Sequence, residues 1–217
     1  MITQTEENYL KAIYKIAEKE KKSVGTNAIS AQMKTTAASV TDMIKRLSEK
    51  GLVNYQKYKG VNLTSVGNKH ATNLIRKHRL WEVFLVDKLN FRWEQVHDIA
   101  EQMEHIVSDN LITRLDAFLG HPRFDPHGDP IPNAEGKFTI RVQNLLSDIS
   151  PNRKVNVLGV KEHDSPFLEY LNSLKIALGT TLEILEIIPF DKSMKIRIND
   201  SQETIISNKV AQTLLVR

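Results

Sequence analysis

Residues 26–64 run TNAISAQMKTTAASVTDMIKRLSEKGLVNYQKYKGVNLT. Thr26 to Met33 reads as a short capped helix, Lys34-Thr35-Thr36 as a turn, and Ala37 to Lys50 as a longer helix. In that second helix Val40, Met43, Ile44 and Leu47 recur three and four residues apart and face inward. Gly51 stops it, as a left-handed cap does. Leu52 to Gln56 and Val61 to Thr64 then form a hairpin whose tip is Lys57-Tyr58-Lys59-Gly60. Such a tip also suits an ordinary soluble turn, but after two helices joined by a tight turn it reads as the wing of a winged helix-turn-helix. Thr35, Thr36, Ser39, Thr41 and Asp42 offer short polar side chains to base edges and phosphates, followed by Lys45 and Arg46, with Lys57 and Lys59 on the wing beside the groove.

Outward from this stretch, Glu6 to Lys19 carries Tyr9, Leu10, Ile13, Ile16 and Ala17 in one helical stripe, a first helix. Charge is unevenly divided. Residues 1–90 hold 16 Lys and Arg against 8 Asp and Glu, a net +8, whereas residues 91–217 hold 14 against 18, a net −4. A basic N-terminal part is what phosphate neutralisation requires, although a Lys-rich solvated surface gives the same count. The 217 residues are 41% hydrophobic and 26% charged, the balance of a globular chain long enough for more than one domain. No window approaches the roughly 18 to 20 apolar residues of a membrane span, and the N-terminus lacks an apolar signal core, so a cytoplasmic location is expected. Without cysteine, any metal site must use imidazole, carboxylate, amide or water.

Beyond the hairpin, Thr64 or Ser65 caps a helix that continues through Leu89, and Arg92 to Phe118 reads as another. The latter carries more apolar positions than one stripe can hold. It is therefore deeply buried or pairs with a second copy, and a two-fold dimer would set two recognition helices about 34 Å apart, so a homodimer is expected. The same run contains His97, Glu101, Glu104 and His105; helical spacing puts Glu101, Glu104 and His105 on one face with His97 one turn earlier, a metal-ligand pattern. Singly, each such residue is equally well a satisfied structural histidine or a solvated acid. Pro122, Pro126, Pro130 and Pro132 exclude long helices just after residue 119 and open a stretch of linker character over about 120 to 150. VNVLGV, TTLEILEII and MKIRI then read as short strands, with SPFLEYLNSL as a helix, in a small β-rich domain.

Several strings together resemble the metal-dependent repressors of the diphtheria toxin repressor class, including manganese transport regulators. They are EENYLKAIYKI, the helix-turn-helix ending in RLSEKGLV, LTSVGNKHA, IRKHRLWEVFL, VHDIAEQMEHIVSD and DPHGDPIP, in order over residues 6–133. The resemblance implies a mainly α (α+β) chain. Its parts would be a winged helix-turn-helix over 1–65, a helical metal-binding and dimerisation domain over 66–140, a linker over 141–154, and an SH3-like, FeoA-like domain over 155–217. It implies a regulatory metal site at Asn8, Glu101, Glu104 and His105, and a second at His78, Glu82 and His97. A further ligand would come from Glu162-His163-Asp164, with Asp164 preferred over His163. His70, His121 and His127 stay outside: His70 faces solvent and His127 belongs to the Pro-rich linker.

The resemblance also bears on the metal. Iron-type members carry cysteine where this chain has Glu101, and carboxylate oxygens with imidazole suit Mn2+, leaving Fe2+ as the other candidate. Asn8 stands where manganese regulators usually carry Asp, which removes one negative charge. Lys11, where the short two-domain manganese regulators have Glu, argues against their paired-metal site. The implied function is a transcriptional repressor, not an enzyme, that binds operator DNA as a homodimer when metal is bound and controls metal-uptake genes, with no membrane or small-molecule substrate as partner. Two other classes compete. One is a winged-helix regulator with an iron, organic or redox effector; the other is a metalloenzyme using the His/Glu cluster, for which the chain shows neither HExxH nor a nucleophile elbow.

Overall fold

Helix α1 (Gln4–Glu20) begins with a reciprocal cap. Thr3 Oγ1 accepts from the Glu6 amide at 3.3 Å, and Glu6 Oε2 accepts from the Thr3 amide at 2.9 Å. Lys50 adds two bonds to the same Glu6 carboxylate, at 2.7 and 2.9 Å, tying the first helix to the end of the third. The computed structural model describes residues 2–56 and 59–217, in two units each drawn from separated stretches. Unit 1 comprises Met1–His78, Glu101–Asp109 and Pro132–Phe138; unit 2 comprises Arg79–Ala100, Asn110–Ile131 and Thr139–Arg217.

Unit 1 holds the expected winged helix. Helix α2 (Thr26–Met33) ends on Lys34 in the left-handed region, and α3 (Ala37–Glu49) starts on Thr36, whose hydroxyl accepts from the Ser39 amide at 3.2 Å. Gly51 has φ +68°, and the Leu52 amide returns to the Leu47 carbonyl at 2.9 Å, which closes α3. Strands β1 (Val53–Gln56) and β2 (Gly60–Leu63) pair antiparallel, with Val53 opposite Leu63 and Gln56 opposite Gly60. Val24 exchanges both backbone bonds with Val61 and so adds a third rung beside the ribbon. Tyr9, Leu10, Ile13, Ile29, Val40, Ile44 and Leu47 form the buried core beneath these elements. Helix α4 follows over Ser65–Leu89.

The expected single helix from Arg92 to Phe118 is corrected. That segment breaks into a 3-10 turn (Trp93–Gln95), α5 (His97–Met103) and α6 (Asp109–Phe118). Between α5 and α6 lies Ile106-Val107-Ser108, two β-branched residues followed by a residue type that favours helix starts. The Lys77 ammonium donates to the Ile106 carbonyl at 3.2 Å, which satisfies an acceptor at the break. Periodicity counted across the break therefore described two helices as one.

Unit 2 is built on a six-stranded antiparallel sheet in the order β3-β8-β4-β5-β6-β7. Its strands are β3 (Asn144–Leu145), β4 (Lys154–Val160), β5 (Thr181–Ile187), β6 (Met194–Ile198), β7 (Gln202–Ile206) and β8 (Leu214–Val216). Strand β6 alternates buried Met194, Ile196 and Ile198 with Lys195 and Arg197, the two-residue period of a sheet with one covered face. Helix α7 (Ser165–Ser173) places Leu168 and Leu171 in the same core, together with Val157, Leu182 and Ile184; a short α8 (Asn208–Ala211) precedes β8. Strands β4, β5 and β6 coincide with the three apolar runs of the sequence. Strands β3 and β8, at two and three residues, are too short to show a period.

Candidate metal centre

In unit 2, Glu82 on α4 meets two residues of the Pro-rich stretch. Ligand-type atoms of Glu82, Asp125 and His127 all lie within 4.8 Å of one another, and all three residues are buried. His97, at the start of α5, sets Nδ1 3.5 Å from Glu82 Oε1 and is partly exposed. Sequence reading put His78, Glu82 and His97 together and left His127 to a linker. His127 is instead 1% exposed, with Nδ1 3.8 Å from Glu82 Oε2. Asp125 was not singled out either. The available signal was the DPHGDP string itself, in which a carboxylate and an imidazole two residues apart sit within a turn.

Backbone bonds aim these side chains. Asp125 Oδ1 accepts from the amides of His127 and Asp129, both at 2.9 Å, which folds residues 125–129 into a closed turn. His127 Nε2–H donates to the Trp93 carbonyl at 2.9 Å, leaving Nδ1 to face Glu82. The turn is fastened to β4: the Val160 amide donates to the His127 carbonyl at 3.0 Å, and Arg141 donates to the carbonyls of Gly128 and Leu158. Burial and the facing Glu82 charge push the Asp125 carboxyl up to about 7. Burial opposes a charged His127, yet the bond and charge of Glu82 outweigh it and raise that imidazole to about 9. Two buried carboxylates facing each other are costly unless a cation joins them. A donor set of two carboxylates and imidazole nitrogen fits Mn2+ or Fe2+ better than a soft-ligand ion.

Of the three residues offered from the C-terminal part, His163 lies nearest this group. Its ring stacks on that of His127 with centroids 4.8 Å apart, and burial lowers its pKa. Asp164 is exposed at the N-cap position of α7. His163 thus abuts the cluster, and Asp164 follows it at the start of α7. His121 is exposed and bonded to Asp116 at 2.6 Å, and His70 is exposed.

In unit 1 the other expected ligands are arranged differently from one helical face. Glu101 is on α5, but Glu104 and His105 follow its end, so the shared-face reading is corrected. Glu104, 1% exposed, accepts two bonds from the Lys11 ammonium, at 2.9 and 2.7 Å, and one from His78 Nδ1–H at 2.6 Å. Burial raises its pKa, but the bonds and charges of His78 and Lys11 prevail and hold it below the usual value. His105 Nδ1–H donates to Glu7 Oε2 at 2.6 Å, and its Nε2 is 3.8 Å from Glu104 Oε1. Asn8 and Glu101 line one cavity of about 360 Å³ with Lys11 and Lys15. His78 Nδ1 is bonded to Glu104 Oε2 at 2.6 Å.

The residues expected to meet nucleic acid lie in unit 1 on α3 and its approach. Thr36, Ser39, Asp42, Lys45 and Arg46 are exposed, and Lys59 is exposed beside β2. Two expected contacts are engaged within the helix: Thr36 caps α3, and the Thr41 hydroxyl donates to the Ala37 carbonyl at 2.9 Å. Thr35 is half-buried, its amide bonded to the Ser30 carbonyl at 3.1 Å. Lys57 lies outside the described residues.

Winged helix, buried carboxylate–imidazole cluster and six-stranded sheet together define a metal-responsive DNA-binding class. Residues 1–61 match "Iron dependent repressor, N-terminal DNA binding domain", residues 64–133 "Iron dependent repressor, metal binding and dimerisation domain", and residues 144–217 "FeoA domain". The diphtheria toxin repressor of Corynebacterium diphtheriae is 31% identical over 196 residues, covering 85% of this chain and 86% of that protein. Iron-dependent repressor IdeR of Mycobacterium leprae is 32% identical over 131 residues, covering 60% of this chain and 56% of that one. A solved manganese-dependent transcriptional repressor in complex with manganese superposes with a TM-score of 0.84 at 34% identity, over 97% of this chain and 98% of that one. The chain belongs to the iron-dependent repressor family, that of the diphtheria toxin repressor. It spans only 20% to 56% of the length of some other curated relatives it matches.

Proposed function

We propose that this protein is a metal-dependent transcriptional repressor, not an enzyme, that binds operator DNA as a homodimer when Mn2+ or Fe2+ is bound, and so controls metal-uptake genes in the cytoplasm. The observation that carries this reading is the buried Glu82–Asp125–His127 group in a chain that also presents a winged helix. Glu82, Asp125 and His127 would hold the ion, with His97 completing the shell and His163 flanking it. A bound divalent ion would supply the positive charge that lets both buried carboxylates remain ionised. Asp125 and His127 are held in one closed turn fastened to β4, so ligand positions are fixed before binding. Asn8, Glu101, Glu104, His105 and His78 form a second candidate set in unit 1, near the winged helix itself.

DNA recognition would use Ser39, Asp42, Lys45 and Arg46 on α3, with Thr35, Thr36 and Thr41 supporting its first turns and Lys57 and Lys59 on the wing. Homodimerisation is supported by apolar side chains left uncovered in unit 2: Leu89 is 51% exposed, Leu111 38% and Phe118 64%. Among the described residues no helix is long and apolar enough to cross a membrane. Linkage between the two ligands makes metal and DNA strengthen each other's binding, with a coupling of about 1 to 3 kcal/mol as the ordinary size.

The test is selection of a randomised duplex library on the full chain with Mn2+, then affinity for the selected duplex measured anaerobically with Mn2+, with Fe2+ and without metal. Tighter binding with metal in the wild type, reduced in Asp125→Ala, is expected. Equal binding with and without metal would refute the reading.

A further inference from the structure

We propose that Lys11 is the resident cation of the Glu104 pocket in unit 1 and sets the metal concentration at which that pocket can be filled; this rests on the metal-responsive reading above. Its ammonium bonds both Glu104 oxygens, at 2.9 and 2.7 Å, and lies 3.6 Å from Glu101 Oε1 and 3.5 Å from His78 Nδ1. A positive centre bridging both oxygens of a buried carboxylate occupies the place that a divalent ion chelated by Glu104 would need. Lys11 is 6% exposed and Glu104 1% exposed, so this is an internal ion pair rather than a surface one.

The rest of the pocket does not tip the balance toward a metal. Asn8, which lines a cavity with Lys11 and Glu101, offers only a neutral amide, and His105 is directed at Glu7. Lys11 cancels the charge of Glu104; of the other carboxylates nearby, Glu7 is bonded to His105 and the Glu101 side chain is 52% exposed. An ion entering here must expel a buried ammonium from its partner. In unit 2 Arg79 Nε stands 3.4 Å from Asp125 Oδ2 and so offsets one carboxylate, while Glu82 and Asp125, within ligand distance of each other, still offer two carboxylates to an ion. The two sites therefore fill at different metal levels, unit 2 first, and Lys11 widens the gap. Replacing Lys11 by a neutral side chain removes the competitor and keeps every ligand.

Mn2+ binding to the full-length protein, followed by the paramagnetic signal of free Mn2+, tests this in wild type, Lys11→Met, Lys11→Arg and Asp125→Ala. Wild type should show a tight and a weak class of site. Lys11→Met should tighten the weak class by about 10-fold or more, because it removes a cation held against the ligand carboxylate. Lys11→Arg should match wild type, and Asp125→Ala should lose the tight class. Identical weak-class binding in wild type and Lys11→Met overturns the role of Lys11 while leaving the unit 2 site intact; absence of Mn2+ binding in both overturns the metal reading as well. Because a neutral residue leaves Glu104 buried with one positive partner fewer, Lys11→Gln serves as a second variant, and thermal melts accompany each titration. A larger Mn2+-induced rise in melting temperature in either neutral variant than in wild type supports the proposal; equal rises in all three overturn it.

Discussion

Arg141 donates a 2.6 Å hydrogen bond to the carbonyl of Gly128, and the same nitrogen reaches the Leu158 carbonyl at 2.7 Å. One guanidinium thus clips the turn that carries Asp125 and His127 to strand β4, while its face covers the Phe124 ring at 4.0 Å from the centroid. The clip contains no ligand, yet it decides where two candidate ligands stand. Replacing Arg141 by Met should keep much of the packing and remove the bonds. Mn2+ affinity of the unit 2 site is expected to fall about 10- to 100-fold. Calorimetric titration checks this, and an unchanged affinity would show that the turn holds its shape without Arg141.

Gly128 tests the same attachment from the other side. Its φ is +88°, and a Cβ there would stand 2.1 Å from the Leu158 carbonyl oxygen. Gly128→Ala meets both left-handed strain and a backbone collision. A loss of at least about 2 kcal/mol in urea unfolding, together with weaker metal binding, is expected.

The capping carboxylate of α1 gives a pH dependence. Burial raises the pKa of Glu6, but the bonds from Lys50 and the Thr3 backbone outweigh it, and the folded value lies below the ordinary 4.5. A folded pKa below the unfolded one contributes stability that is present above pH 4.5 and lost as pH falls through the folded value. Glu6→Gln keeps an acceptor for the Thr3 amide but loses the charge that holds Lys50, so it should cost up to about 1 kcal/mol near neutrality, and the gap to wild type should close on acidification. Thermal melts of both proteins across that range measure it; a gap that stays constant with pH would show that Glu6 acts through shape alone.

Arg46 is exposed near the end of α3, and a phosphate contact there would be independent of sequence. Arg46→Ala should weaken binding to selected and unrelated duplexes alike and lower the slope of log affinity against log salt by about 1. Weakening confined to one base position of the selected duplex would instead mark Arg46 as a base reader.

The sequence alone determined the winged helix. Its signals are local: Thr36 as a cap, Gly51 as a stop, and the stripe Val40, Ile44, Leu47 recur within a few residues of one another, so helix spacing and turn chemistry suffice to read them. The same holds for β4, β5 and β6, whose apolar runs are long enough to show a strand. Pairing Glu82 with His97 was reached through family resemblance, and the structure brings those two within 3.5 Å.

Tertiary structure alone decided the rest. Periodicity carried a single helix across residues 104–108, because apolar spacing does not register a break whose exposed carbonyl is satisfied by Lys77, 29 residues away in sequence. His127 looked like part of a linker because prolines exclude helices without saying what a rigid turn packs against; its amide bond to Asp125 and its carbonyl bond to Val160 put it beside Glu82. Lys11 and Glu104 are 93 positions apart, and no local pattern says that a lysine two residues after Tyr9 will point its ammonium at a buried carboxylate. Residue types set which chemistry was available. Which charges face each other depends on contacts between distant segments, and those exist only once the chain has folded.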